Sequence, residues 1–333
     1  MALTAKEWRL LEAKLADLEP AVRQAFIEAI QRRGTAVDVT ALTELIDAGR
    51  FAEALEMVRV PDSWVTMASE EVRAAYIQGG ASAGDLLAAT IRAKFGFGMN
   101  ARAEDWARTM SSRMIESVNE NLPEVQGYIE QSVGKGIPAR AVALDIVGRM
   151  DKATKRRTGG LLGLNSNQTG AAIRAKAELE DLDPAYFERK LRDKRFDSIV
   201  RRAIKDGKPL SRADLDRITG RYRDRLLKHR GDVIARTEAL NALRAGQHEG
   251  FRQLIDAGLA DAVEVKWQAT ADGRTRDSHL ALNGQAVEFG QMFISPATGA
   301  LMEFPGDISH GAHGEDVIQC RCVAIYRIKN RDR

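Results

Sequence analysis

The apolar residues of this chain recur every three or four positions up to Gly258, and from Val263 they alternate instead. The stretch V-E-V-K-W-Q-A, Val263 to Ala269, places an apolar side chain at every second position, the pattern of a half-buried strand. No comparable alternation precedes it. The chain must therefore be helical for about three quarters of its length and close on a small mixed module. Short strands are expected around Ala286–Phe289, Leu301–Phe304 and Cys320–Ile328, with Pro296 and Gly299 in the turn between the first two. The fold class expected is mainly α with a C-terminal α+β module, preceded by an extended helical N-terminal region.

Punctuation within the helical part suggests where helices start and stop. Thr4 and Glu7 fit a capping box ahead of a stripe made by Trp8, Leu11, Leu15 and Leu18. Glu19-Pro20 should close that helix and open the next, which runs to Gly34. Helices over Thr40–Ala48 and onward to Pro61 follow. From Asp62 to Met150 breaks are expected at Gly79-Gly80, at Phe95-Gly96-Phe97-Gly98 and at Gly134–Pro138. The F-G-F-G stretch lacks a preceding strand and a following Lys-Ser/Thr, so it reads as a turn and not as a phosphate loop. Lys152, Lys155, Arg156 and Arg157 ahead of Gly159-Gly160 mark a joint between regions. Asp183-Pro184 and the pair Ser211/Asp214 are helix starts. A longer helix should begin near Arg221, break at Gly231, bury Val233, Leu240, Leu243, Phe251 and Leu254, and end at Gly258. The domain division that follows is 1–60 as a helical arm, 61–157 as a helical region, and 158–333 as a third domain. Within the third, 183–258 are basic helices and 259–333 the compact α+β module.

Charge is distributed unevenly. The 333 residues carry a formal net charge of +3. Arg189 to Arg230 alone hold 16 Lys/Arg against 6 Asp/Glu, which leaves the remainder of the chain acidic. Such a segment suits contact with phosphates or an acidic partner, and Lys194, Arg195, Arg201, Arg202 and Lys205 are the candidate contacts. A solvated helical face is the plainer reading of the same charges. Phe196 and Tyr222 are too few for base stacking of the single-strand type. No run approaches the ~18 apolar residues of a membrane span, and the start M-A-L-T-A-K-E-W has no secretory apolar core. Two cysteines, Cys320 and Cys322, exclude a disulfide framework and suit a reducing compartment.

Those two cysteines are one residue apart, so a strand would present both thiols on one face, with Cα atoms roughly 6.6 Å apart. That spacing strains a local disulfide, whereas one metal ion held by both sulfurs needs only a modest bend. His279 is the candidate third ligand, and Asp272, His310, His313 or a water the fourth, with zinc the cofactor such donors select. Packed thiols beside a hydrogen-bonded histidine are the metal-free alternative. Asp272, Arg274, Arg276 and Asp277 surround an Asp-Gly turn, and the two arginines can fork onto carboxylates to pin it. An enzyme reading would make the chain a zinc-dependent hydrolase using His279, Cys320 and Cys322, with Asp272, Asp277 or Glu315 as general base. The motifs that accompany such chemistry are absent.

A-R-T-E-A-L-N-A (Ala235–Ala242), W-x-A-T-x-D-x-R-T-R-x-x-H-x-x-x-N-G-Q (Trp267–Gln285), F-P-G-D (Phe304–Asp307) and C-R-C-V (Cys320–Val323) follow one another in order. Together they resemble the phage Mu protein F-like, or minor head morphogenesis, family of tailed bacteriophages and prophages. The family often has Asn before C-R-C, where this chain has Gln319. The resemblance implies a virion component and no enzyme. It would be assembled in the host cytoplasm, sit in the head interior or at the portal vertex, and act in capsid and portal assembly. It also implies the portal and major capsid proteins as partners, with double-stranded DNA a further candidate and no membrane. Arg236, Glu238, Asp272, Arg274 and Arg276 would then form a structural polar net, with His279, Cys320 and Cys322 beside it.

Overall fold

The computed structural model describes residues 5–86, 92–270 and 272–329. In chain order the helices are α1 (Ala5–Ala36), α2 (Val39–Asp47), α3 (Phe51–Val58), α4 (Asp62–Ala83), α5 (Ala101–Asn119), α6 (Leu122–Gly134) and α7 (Ala139–Val147). A hairpin of β1 (Arg149–Met150) and β2 (Arg157–Thr158) precedes α8 (Ser166–Glu180), α9 (Asp197–Asp206) and the long α10 (Arg212–Asp256). The C-terminal part adds β3 (Ala262–Gln268), α11 (Asp277–Leu282), β4 (Ala286–Glu288), β5 (Phe293–Ile294), β6 (Leu301–Met302), α12 (Gly314–Val317) and β7 (Val323–Lys329). The protein is mainly helical with a C-terminal α+β module. None of the described helices is long and apolar enough to cross a membrane.

The chain forms two compact units, each discontinuous in sequence. One comprises Met1–Arg23, Met67–Met110 and Asp232–Arg333, the other Gln24–Thr66 and Ser111–Gly231. The contiguous blocks 1–60, 61–157 and 158–333 do not coincide with these units, and the 157/158 boundary falls inside β2. Gly159 is no joint: its Cβ would lie 2.7 Å from the Gly220 Cα, so the two backbones are packed together.

In the second unit, Leu42, Ile46, Ile129, Val142, Ile146, Leu161 and Leu164 form the core. A buried carboxylate, Asp145, sits among them. It accepts from Tyr128 Oη at 2.6 Å, Lys176 Nζ at 2.8 Å and Arg223 Nη1 at 3.0 Å. These cations outweigh the cost of burial and hold Asp145 far below the usual carboxylate range.

In the first unit, the sheet order is β4–β3–β7, all antiparallel. Val265 faces Tyr326 and Trp267 faces Ala324, so the buried positions of β3 share one face with those of β7. Phe251 of α10 stacks on Tyr326 with ring centroids 4.3 Å apart, which seats the sheet on that helix. Phe293 of β5 meets Trp267 edge-on at 5.3 Å.

Several breaks expected from local signals are absent. Pro20 lies inside α1, where a proline costs about 3 kcal/mol or more. Burial of Val22, Phe26 and Ile30 at helical spacing keeps the chain helical through it. The capping box falls on Thr4, outside the described residues, as do the side chains of Glu7, Trp8 and Leu11. α10 starts at Arg212, with Ser211 Oγ capping the Asp214 amide, and runs unbroken through Gly231. Next to that glycine, Arg230 is anchored on the carbonyls of Gly163 and Ser117, and such packing outweighs the ~1 kcal/mol helix penalty of Gly.

Gly79-Gly80 likewise does not break α4, because those glycines serve a helix crossing. A Cβ at Gly79 would lie 2.1 Å from the Leu243 carbonyl oxygen, one at Gly246 1.9 Å from that of Tyr76, and one at Gly250 2.7 Å from that of Gly80. The backbones of α4 and α10 therefore touch, as only glycine permits. Gly220, on the same α10, meets nothing closer than 3.8 Å. Gly246→Ala should destabilise the protein by about 1–3 kcal/mol or more, through overpacking. Gly220→Ala should stabilise it by up to about 1 kcal/mol, through helix propensity. Urea midpoints decide the matter, and equal tolerance of the two substitutions would contradict the crossing.

Candidate metal centre

The residues of the second sequence motif each hold one part of a single junction. Near the end of β3, the Trp267 amide donates to the Gln285 carbonyl and its carbonyl accepts from the Gly284 amide, both at 2.8 Å. Asn283 Oδ1 accepts the Ala269 amide at 3.0 Å. Thr270 Oγ1 reaches the Arg321 carbonyl at 3.1 Å, and Arg276 Nη2 the Ile318 carbonyl at 2.6 Å. These bonds tie the β3 exit and α11 to the segment entering β7. Its strand begins at Val323 and not at Cys320, so both cysteines lie in the approach to the strand.

At this junction His279 of α11 meets Cys320 and Cys322. Their exposures are 1%, 3% and 1%. The imidazole Nδ1 lies 3.5 Å from Cys320 Sγ and 3.4 Å from Cys322 Sγ, and all three ligand atoms lie within 4.8 Å of one another. Trp267 packs edge-on against the imidazole at 5.5 Å. Both cysteines are free thiols. Cys320 is drawn well below the usual thiol range, first by a hydrogen bond from Cys322 and then by the charge of Arg244 and by His279, against burial. Cys322 is pushed up by that same shared hydrogen bond and by burial. Such a pair shares a proton; buried this deeply, neither sulfur is accessible as a nucleophile.

The proposed fourth donors do not reach this cluster. Asp272 is clamped by the Arg321 guanidinium, with Nη1 2.6 Å from Oδ2 and Nη2 bonded to Oδ1. His310 faces Glu303 and Asp307 at 3.8 and 3.9 Å, and the exposed His313 precedes α12 as its N-cap residue. Asp272 is held far below the usual carboxylate range by Arg321 first, then by the Arg274 amide. The fork on Asp272 thus comes from Arg321, whereas Arg274 approaches it only at 3.6 Å and Arg276 uses a carbonyl. Arg236 stands 3.9 Å from Glu19, and Glu238 is part-buried on α10.

Arg244, which sequence reasoning did not single out, is buried on α10 and donates from Nη2 to the Cys320 carbonyl at 2.9 Å. The available signal was an arginine four residues from Leu240, adjoining the buried stripe. Gly306 of the F-P-G-D motif packs there: a Cβ on it would lie 2.4 Å from Asn241 Oδ1 and 2.8 Å from Arg244 Nη1. Gln319 adopts φ 53°, the left-handed region that Asn tolerates better than Gln, which gives a physical reason for Asn before C-R-C.

One turn further along α10, buried His248 has Nε2 2.7 Å from Glu303 Oε2 and Nδ1 3.1 Å from Tyr326 Oη. Burial outweighs the nearby carboxylate and pushes the His248 pKa down, so the neutral ring donates from Nε2 to Glu303 and accepts from Tyr326. Glu303 is pulled down to about 2, first by that bond and also by Arg252 at 2.8 Å.

Of the basic contact candidates, Lys194, Arg195, Arg201, Arg202 and Lys205 are all exposed. Arg195 pairs with Asp193 at 2.6 Å and Arg201 with Asp197 at 3.6 Å, also lying over the Phe187 ring. Other charges in this segment are used internally. Arg189 grips Glu178, Arg192 grips Asp197, and Arg223 and Arg230 are buried. Arg201, Arg202 and Lys205 lie on α9, whose opposite side buries Val200 and Ala203, and Arg212, Arg217, Arg221, Arg225 and Lys228 are also exposed along α10.

Residues 194–325 match the family described as phage Mu protein F like protein. A curated protein of Enterococcus faecalis, the NAD(+)–arginine ADP-ribosyltransferase EFV, is 33% identical over 92 residues. The match takes in 28% of this chain and 18% of that protein, so the chain spans less than a fifth of the relative's length. No solved structure matches.

The Glu303–His248 pair makes stability acid-sensitive. Both folded pKa values lie below the ordinary 4.5 and 6.5, so the stabilisation is complete above pH 6.5 and is lost as pH falls toward about 2. Thermal unfolding between pH 7 and pH 3 should show a declining melting temperature. Glu303→Gln should be less stable at pH 7 and decline less steeply below pH 4.5. A variant with the wild-type slope would exclude the pair as a source of acid lability.

Proposed function

The chain carries a phage Mu protein F like region over residues 194–325, and from that premise we propose that it is a structural minor head protein of a tailed phage or prophage. It acts in capsid and portal assembly by association and not by turnover. Its partners are the portal and major capsid proteins, in the head interior or at the portal vertex, after assembly in the host cytoplasm. The observation that carries this reading is the use of the matched motifs. Trp267, Asn283 and Arg276 each bond to backbone at one junction, where Arg321 also clamps Asp272 and Gly306 packs against the Asn241 and Arg244 side chains, which is scaffold work.

The hydrolase reading finds less support. Asp272 is occupied by Arg321, while Asp277 and Glu315 are exposed residues in the first turns of α11 and α12. A buried cluster at which no carboxylate among the described residues is directed is poorly arranged for activating water. The transferase activity named for the Enterococcus protein belongs to a chain of which less than a fifth is shared.

The exposed basic side of α9 is the proposed contact with the portal or with packaged double-stranded DNA. Co-sedimentation with the portal protein of the same genome, and DNA binding across a salt series, test it. Arg201→Glu, Arg202→Glu and Lys205→Glu together should abolish one of the two interactions without lowering the melting temperature. Binding through α9 to DNA should weaken as a power of salt concentration, with a slope near −0.9 per phosphate contacted. Absence of binding to both partners in the wild type would remove the assembly reading. Binding that survives the triple charge reversal would move the contact away from α9.

A further inference from the structure

A tetrahedral centre with a metal–sulfur bond of about 2.3 Å and a metal–nitrogen bond of about 2.0 Å sets sulfur and nitrogen roughly 3.5 Å apart. His279 Nδ1 stands 3.5 and 3.4 Å from the two sulfurs. The spacing that packs an imidazole against two thiols is thus already that of two edges of a coordination polyhedron. We propose that His279 Nδ1, Cys320 Sγ and Cys322 Sγ form a structural site for a soft d10 cation, zinc(II) or copper(I), with Arg244 as its charge-balancing partner. This assignment is independent of the assembly reading.

Three features carry it. The donor set is two thiolates and one imidazole, which select thiophilic cations over magnesium or calcium. The site is buried and its backbone is held from several sides, by Thr237 on the Gln319 amide, Arg244 on the Cys320 carbonyl and Thr270 on the Arg321 carbonyl. Such support orients ligands before the ion arrives. Third, the Arg244 guanidinium is buried at the site, with Nη2 on the Cys320 carbonyl and Nε without a hydrogen-bond partner, so an anionic centre beside it is favoured. Binding leaves both sulfurs as thiolates, their remaining protons going to solvent together with one from water where a hydroxide forms, and changes no oxidation state. Copper(I) with two thiolates carries −1, and zinc(II) with two thiolates and one hydroxide also carries −1. Either centre neutralises Arg244. Zinc needs that fourth, external donor, because Asp272, His310 and His313 are directed elsewhere; copper(I) is satisfied by three.

The test is elemental analysis of the untagged full-length protein, purified without added metal or chelator. The expected result is about one equivalent of zinc or of copper, and which of the two decides the oxidation state and coordination number. Chelator-stripped protein should take the metal back from a chromophoric competitor, releasing up to two thiol protons for copper(I) and one more, from the water that becomes hydroxide, for zinc(II). Cobalt(II) loading should give the near-ultraviolet sulfur-to-metal charge-transfer absorption that oxygen and nitrogen ligands do not produce. Cys322→Ser and His279→Gln should lose the metal. Because either may also fail to fold, the cobalt spectrum of the wild type is the deciding readout. Arg244→Met should weaken metal affinity about 10–100-fold, with partial rescue in Arg244→Lys. Protein that is metal-free as isolated, takes up neither zinc(II) nor copper(I) after stripping, and shows no charge-transfer band would overturn the assignment. It would leave a hydrogen-bonded thiol pair.

Discussion

Polar side chains buried along one helix impose the strongest constraint in this protein. α10 carries Arg223, Arg230, Asn241, Arg244, His248 and Glu249 in buried positions. Each would cost several kcal/mol if left without a partner in the interior. Most of them therefore require a specific group elsewhere in their own unit to stand within about 3 Å. Arg223 requires Asp145, Arg230 the Gly163 carbonyl, Arg244 the Cys320 carbonyl, and His248 both Glu303 and Tyr326. Fixing the register of the helix fixes the loops that answer it. Apolar residues alone would tolerate sliding by a methylene or two; these pairings do not.

The C-terminal module shows what that constraint does to a small structure. A three-stranded sheet, a two-stranded hairpin and two short helices cannot bury much apolar area, and modules of this size commonly need an additional tie. Here the ties are polar and converge from pieces far apart in sequence. Gly306 lies against Asn241 and Arg244, Arg244 holds Cys320, and Cys320 faces His279, which stands next to Trp267. Four motifs spread over nearly a hundred residues describe one junction. Their order along the chain is that of a path which returns repeatedly to the same place.

What the sequence made legible was whatever depends on local period or on short spacing. The change from helical to alternating pattern at Val263 located β3, with Val263, Val265 and Trp267 buried. The grouping of His279 with the C-R-C cysteines followed from residue type and strand spacing. Signals that acquire meaning only through distant partners misled. Gly79-Gly80 reads as a break and is a helix crossing, because its reason is the Leu243 backbone. Pro20 and Gly231 read as stops and are overridden by packing. The role of Arg244 was invisible because its acceptor lies 76 residues away. Strands of two residues, such as β1, β2 and β5, are too short to show any period.

Net charge was also a poor guide to surface. The Arg189–Arg230 segment carries +10, but some of that charge never meets solvent. Arg223 serves a buried carboxylate and Arg230 caps backbone carbonyls, roles that suit the planar five-donor guanidinium and that lysine fills poorly. The outward charge is shared by α9, the segment before it and the first half of α10, where arginine and lysine are mixed. A basic run in a helical protein is therefore two populations. The buried arginines are part of the architecture, and only the exposed ones remain available to a partner at the surface.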